Sequence, residues 1–318
     1  MLRISGARAA LTTTALVAAA ALMVMGCKEK GIHGDTGHQT MGQYAEGYNI
    51  IIDAVPDLLE RYFKNTPPDG PTAESLKEKK TWLCSGAGFM AMNRKKAEDA
   101  FAAAKKSANK ELEHLGPLAD ALLASSKEIA SLSDEYCKYI EAEDYKDDKG
   151  AKATEYHPKW VAAAEKYDGA RNKFSAELDK IENTQMVADI EKHAKDKGYS
   201  YWFRHFNHEA KMFVDKVRSD QANVVVHYGA LEPTYSALSE FTKGKGAGVN
   251  TTFKSYQDSA DRFFADVKKL NRAVGEAKDD EARKKAVEDS FDSIVGDYNS
   301  LVSMYTALTQ LEGYDQLK

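Results

Sequence analysis

Apolar residues recur every third or fourth position along almost the whole chain, and that spacing leaves it few folds. Tyr44, Tyr48, Ile51, Val55, Leu58 and Tyr62 step by 4, 3, 4, 3 and 4 residues. Phe253, Tyr256, Ala260, Phe263, Val267, Leu270 and Val274 repeat the rhythm, as do Val287, Phe291, Ile294, Tyr298, Leu301, Tyr305 and Leu308. A stripe of this period lies along one side of an α-helix and packs knobs-into-holes on nearly parallel or antiparallel neighbours. No stretch shows the alternation of a half-buried strand. Val224-Val225-Val226, the one β-branched run, sits inside a helical register. The pattern predicts an all-α fold: an elongated bundle of about six long antiparallel helices with heptad-like seams.

The intervening helices are read from the same rhythm. One runs from Met90 to His114 and is broken by Gly116-Pro117. Leu118, Leu122, Ser125, Ile129, Leu132, Tyr136 and Tyr139 mark the next, and the charged stretch Glu141–Lys152 is a solvated turn. Trp160, Ala164, Tyr167, Phe174, Leu178 and Ile181 follow, with Arg171 interrupting the seam and Gly198 ending the helix. Phe206, Ala210, Phe213, Val217, Val224 and Leu231 form another, with Asp220 and His227 in two seam places. Lys243–Gly248 is a flexible connection, since its three glycines lack both the Lys-Ser/Thr ending and the preceding strand of a phosphate loop.

The N-terminus carries an address. Arg3 and Arg8 precede an apolar run from Ala9 to Met25, broken only by three threonines, and no acidic residue comes before Cys27. About 17 residues suit a signal-peptide core better than a membrane span. The run ends in Val24-Met25-Gly26-Cys27, the order of a bacterial lipobox, with lipid expected on Cys27. The competing reading is an uncleaved anchor helix, and on either reading the domain is tethered to a membrane. Lys28 stands where Asp would signal inner-membrane retention, which favours the outer membrane and the periplasmic face. Three segments are expected: a signal peptide (1–26), a lipidated cysteine with a polar, glycine-rich tether (27–42), and a helical-bundle domain (43–318).

Cleavage removes Arg3 and Arg8 and no acid, moving the formal net charge from −5 to −7. Such a balance does not suit nucleic acid, which is held by concentrated Lys and Arg. Once Cys27 is lipidated, Cys84 and Cys137 remain. In an oxidising compartment they can form one disulfide; otherwise both are small buried hydrophobes.

Tyr139–His157, with Asp144-Tyr145-Lys146-Asp147-Asp148 and then His157-Pro158-Lys159, carries a resemblance. It is similar to the YiiG-like family of bacterial lipoproteins, classed as a domain of unknown function, in which a tyrosine-rich helix runs into such a stretch and His-Pro-Lys opens the next. Tyr44–Ile50 and Phe291–Val302 resemble the family's first and last helices. The resemblance implies export, lipidation and a helical fold; it marks His157 as a family position of unknown role and supplies no activity.

Other constellations are weaker. His205, His208 and Glu209 have a spacing that can gather ligands on one helix, but not in the His-Glu-x-x-His order, and the seam register turns them to solvent. Glu111 and His114 form a single ferritin-type pair where two are needed, and they read as a helix end. Ser85 lacks the Gly-x-Ser-x-Gly elbow. Sixteen tyrosines outnumber twelve phenylalanines, and eight of them occupy seam places: core filling with hydroxyls at the edge, or a groove for a sugar or peptide. No cofactor motif emerges. A non-enzymatic envelope module that binds a protein or polymer is the favoured expectation; a metal-binding or hydrolytic enzyme using His205, His208 and Glu209 is the alternative. Cys27→Ser is expected to leave an uncleaved, lipid-free precursor, and fatty-acid labelling that persists in that variant would reject the anchor.

Overall fold

The computed structural model describes residues 35–77, 84, 87–107, 109–243 and 251–311. Among them the chain forms helices α1 (Asp35–Asn65), α2 (Ala73–Lys77), α3 (Ala87–Lys106), α4 (Leu115–Glu141), α5 (Ala151–His193), α6 (Tyr199–Ser219), α7 (Val224–Thr242), α8 (Thr251–Glu276) and α9 (Asp280–Thr309), and no strand. The fold is all-α. No helix of the described residues is long and apolar enough to cross a membrane. Cys27, the signal segment and the glycine-rich stretch 244–248 lie outside the described residues.

Instead of one bundle, the described residues form two compact units, one up to Asp179 and one from Lys180. The division falls within α5, where no Pro, Gly or linker composition marks a boundary. In the first unit α1 packs on α3, and α3 on α4. The first part of α5 completes a four-helix core through its aromatic rings. Tyr62 of α1 stacks on Trp160 of α5 with centroids 4.4 Å apart, and Tyr136 of α4 meets both edge-on. Further along, Tyr48 stacks on Phe174, with Phe101 of α3 beside it. A Cβ on Gly47 would come 2.5 Å from the Phe101 ring, so the absence of a side chain there lets α1 and α3 approach. Cys84 and Cys137 are joined by a disulfide with Cα atoms 5.4 Å apart, which fixes the chain between α2 and α3 to α4. Closing a loop of 53 residues contributes roughly 4 kcal/mol in the chain-entropy account.

The second unit is a closed four-helix ring. Each helix from α6 to α9 packs on the next, and α9 returns to α6. Phe206, Phe263 and Tyr298 meet in its centre. The wholly buried Asn207 donates from Nδ2 to the Tyr256 hydroxyl at 2.6 Å.

Several boundaries differ from those the sequence signals. α1 begins at Asp35, inside the expected tether, and Thr40 and Met41 are already buried. Packing on a neighbour extends the helix through residues of low propensity. Gly116-Pro117 opens α4 rather than closing α3, and both residues lie in its first turn, where a proline costs little. His114 is therefore the N-cap of α4 and not the C-terminal end of the preceding helix, and its Nε2 lies 3.5 Å from Glu177 Oε2. Gly198 caps the start of α6; α5 has already ended at His193. Asp220 and His227 hold no seam places: Asp220 caps the end of α6 and lies 3.3 Å from His227 Nε2.

The Tyr139–His157 stretch is a corner. Asp148 accepts from the Tyr139 hydroxyl (2.8 Å) and from the amides of Gly150 (2.8 Å) and Lys152 (3.1 Å). Burial opposes the Asp148 charge, but these donors outweigh it and hold the carboxyl below its usual range. The capped start moves the helix origin to Ala151, so Pro158 lies inside α5 and not at its first position. Gly150 takes φ +84°, and a Cβ there would lie 2.8 Å from the Ala73 amide. Gly150→Ala is expected to destabilise the full-length protein by about 1–3 kcal/mol, through a left-handed backbone and a clash. An unchanged thermal midpoint would show that the corner does not clamp α2.

Candidate functional site

Where the second unit ends, at the beginnings of α6 and α8 and the end of α7, the seam runs out and a cavity of about 440 Å³ opens. Its floor is aromatic. Tyr199 and Phe203 come from the first turns of α6 and Phe253 from the first turn of α8. Tyr199 meets Phe253 edge-on at 4.9 Å and Phe203 at 5.5 Å. None of the three rings is more than 7% exposed, so the apolar floor is narrow. Burial raises the pKa of the Tyr199 hydroxyl.

The rim is polar and held in place. Thr242 donates to Gln257 Oε1 (3.0 Å), and Gln257 Nε2 donates to Asp261 Oδ1 (2.7 Å). The Tyr235 hydroxyl donates to the same carboxylate oxygen at 3.0 Å, and burial, then Asp261, pushes that phenol up to about 12. Lys243 and Lys254 balance Asp258 and Asp261 around the mouth. The volume falls within the roughly 300–1,000 Å³ of small-molecule sites. A narrow apolar floor beneath a charge-balanced rim can hold an uncharged ligand with a small apolar group.

The residues marked by sequence lie elsewhere. His205, His208 and Glu209 share α6 but are half-buried, not solvated as the register implied. His205 Nε2 stands 3.9 Å from Glu209 Oε1. Among the described residues no group of three or more His, Cys, Asp or Glu is arranged to hold a metal. His157 is half-buried at the edge of the first unit's core, stacked on Tyr62, with its Nδ1 3.1 Å from the Tyr62 hydroxyl. All eight seam tyrosines are buried, which favours core filling over an open groove. The pocket residues Tyr199 and Phe203 escaped the seam reading, although the run Tyr199-Ser-Tyr-Trp-Phe203 directly after Gly198 is the densest aromatic signal of the chain.

The buried face of α6 has a pH consequence. Burial, then Lys197, lowers the pKa of His205; burial, then His205 and Lys211, lowers that of His208. The folded chain therefore takes up fewer imidazole protons than the unfolded one, whose histidines titrate near 6.5. This contribution to stability is complete above that value and is lost as pH falls through it. Glu209, raised by burial, acts oppositely: its charged form costs stability at neutral pH, and the cost is relieved on acidification. The paired variant His205→Gln/His208→Gln should thus lose less melting temperature than the parent between about pH 7.5 and 5.5. Equal losses in the two proteins would contradict it.

No curated protein and no solved structure matches the chain. Residues 36–307 match the family described as protein of unknown function DUF3829. That match covers most of the chain, which therefore belongs to this family of proteins of unknown function.

Proposed function

We propose that the protein is an envelope lipoprotein of the YiiG-like kind, anchored through lipid on Cys27, whose helical domain holds an uncharged ligand in the α6–α7–α8 cavity without transforming it. The carrying observation is the narrow floor of Tyr199, Phe203 and Phe253 beneath a rim whose charges cancel. A non-enzymatic role is supported by the pairing of the rim. The Thr242 hydroxyl donates to an amide oxygen, which is no base, and Asp261 is already bonded to Tyr235 and Gln257. The lipobox order and Lys28 support placement at the outer membrane facing the periplasm, where the partner would be an envelope polymer or protein and no nucleic acid.

Ser239 lines the cavity, and its replacement by Trp would fill the mouth. Ligand-detected NMR of neutral fragments against the full-length protein should yield hits that disappear with Ser239→Trp. Hits indifferent to that substitution, or none at all, would reject the cavity as a ligand site.

A further inference from the structure

In the turn between α5 and α6, Lys197 takes the left-handed backbone conformation at φ +42°. Its amide donates to the His193 carbonyl at 3.1 Å and closes the end of α5, a position that favours glycine or asparagine. A lysine there carries backbone strain that glycine would not, and strain of this kind is characteristic of ligand clamps. Lys197 is exposed, and among the described residues its ammonium faces no carboxylate within ion-pair distance. Instead Nζ lies over two ring faces, 5.7 Å from the centroid of Tyr201 and 5.9 Å from that of Trp202.

Those rings belong to a cluster on the first turns of α6, where His205 follows Tyr201 by four residues and Trp202 by three and so shares their face. Tyr201 meets Trp202 at 4.9 Å and 79°, and His205 at 5.4 Å and 57°. Trp202 and His205 lie within 23° of parallel at 6.4 Å, so Tyr201 stands across two nearly aligned walls. Burial, then Lys197, lowers the His205 pKa, and at neutral pH its imidazole is an uncharged third wall. Trp202 and His205 are only half-buried, which leaves the cluster open to solvent, and none of the three rings lines the α6–α7–α8 cavity.

Aromatic faces attract cations, Trp most strongly, and the lysine shows that a cation is accepted here. Lys197 is nevertheless a poor occupant. Its ammonium rides near the roughly 6 Å outer limit of such contacts, and its three N–H groups need acceptors that ring faces do not supply. A quaternary ammonium has no N–H to satisfy, and its methyl groups would take up the space between the charge and the rings. We propose that Tyr201, Trp202 and His205 form an aromatic cage for a quaternary-ammonium ligand of the choline type, whose charged group competes with Lys197 for the ring faces. This site is independent of the α6–α7–α8 cavity.

Titration of the full-length lipidated protein in an uncharged, sugar-based detergent, followed by NMR of the ligand's methyl resonance, tests this. The probes are choline, glycerophosphocholine and 3,3-dimethylbutanol, the uncharged isostere of choline. Choline should bind and the isostere should not. Lys197→Gly, which relieves φ +42° as it empties the cage, should tighten choline binding about two- to fivefold, the worth of one exposed cation–π contact. Trp202→Phe should weaken choline binding and Trp202→Leu abolish it; a graded loss across two apolar replacements separates a ring-face contact from a failure to fold. Tighter binding of glycerophosphocholine than of choline assigns the ligand to a phospholipid head group, and equal or weaker binding to a free ammonium compound. The cage is overturned if choline binds neither the parent nor Lys197→Gly, or if the isostere binds as tightly as choline. It is equally overturned by a Lys197→Gly variant that binds choline no tighter than the parent, or by choline binding indifferent to Trp202→Leu.

Discussion

A stripe of large side chains repeating about every 3.5 residues is stable only in the space between helices, and here that space is filled largely by aromatic rings. Tyr44, Tyr48, Tyr62, Tyr136, Tyr167, Tyr256, Tyr298 and Tyr305 are all at most 5% exposed. Burying one such ring removes some 150–250 Å² from water, worth on the order of 4–6 kcal/mol as an upper bound. A phenol also brings a hydroxyl that must be matched, and this couples burial to register. Tyr62 finds His157, and Tyr256 finds Asn207 and the Phe203 carbonyl. A slip of one helix along another would strand these groups in a dry interior, so Tyr62 and Tyr256 fix position as well as supplying driving force, whereas the buried Tyr167 hydroxyl has no hydrogen-bond partner among the described residues and supplies burial alone.

The same coupling explains the stretch that carries the family resemblance. Asp148 binds the last turn of α4, through Tyr139, to the first amides of α5. Gly150 lets α2 approach, and the Thr154 hydroxyl reaches the Pro71 carbonyl at 3.3 Å. Gly70, at φ +100°, packs against His157. Residues that read as candidates for a site are in this setting the parts of a corner. They orient α5 so that Trp160 reaches Tyr62.

The aromatic-floored cavity of the second unit arises where its seam stops. Inside the ring, Phe206, Phe263 and Tyr298 have neighbours on all sides; at its end, Tyr199, Phe203 and Phe253 meet one another and the end of α7. Helix ends bring polar residues and short connections with them, so an apolar floor acquires a polar rim without any departure from bundle packing. The Tyr235–Asp261–Gln257–Thr242 chain of hydrogen bonds then makes one wall of that rim rigid.

The spacing of apolar residues determined by itself that the chain is helical and which stripe of α8 and α9 is buried; every seam residue of α8 lies in the core, and of the α9 seam only Phe291 is left half-buried. It was less informative about where helices begin and end. Gly116-Pro117, Pro158 and Gly198 are local punctuation, and a cap such as Asp148 or packing such as that of Thr40 overrides them. The α6 cluster read as solvated is half-buried because a heptad assigns a face, not the depth of what covers it. Periodicity states which side of a helix is buried but not which helix buries it. The meeting of Tyr199 and Phe203 with Phe253 was therefore decided only when α6, α7, α8 and α9 closed into a ring.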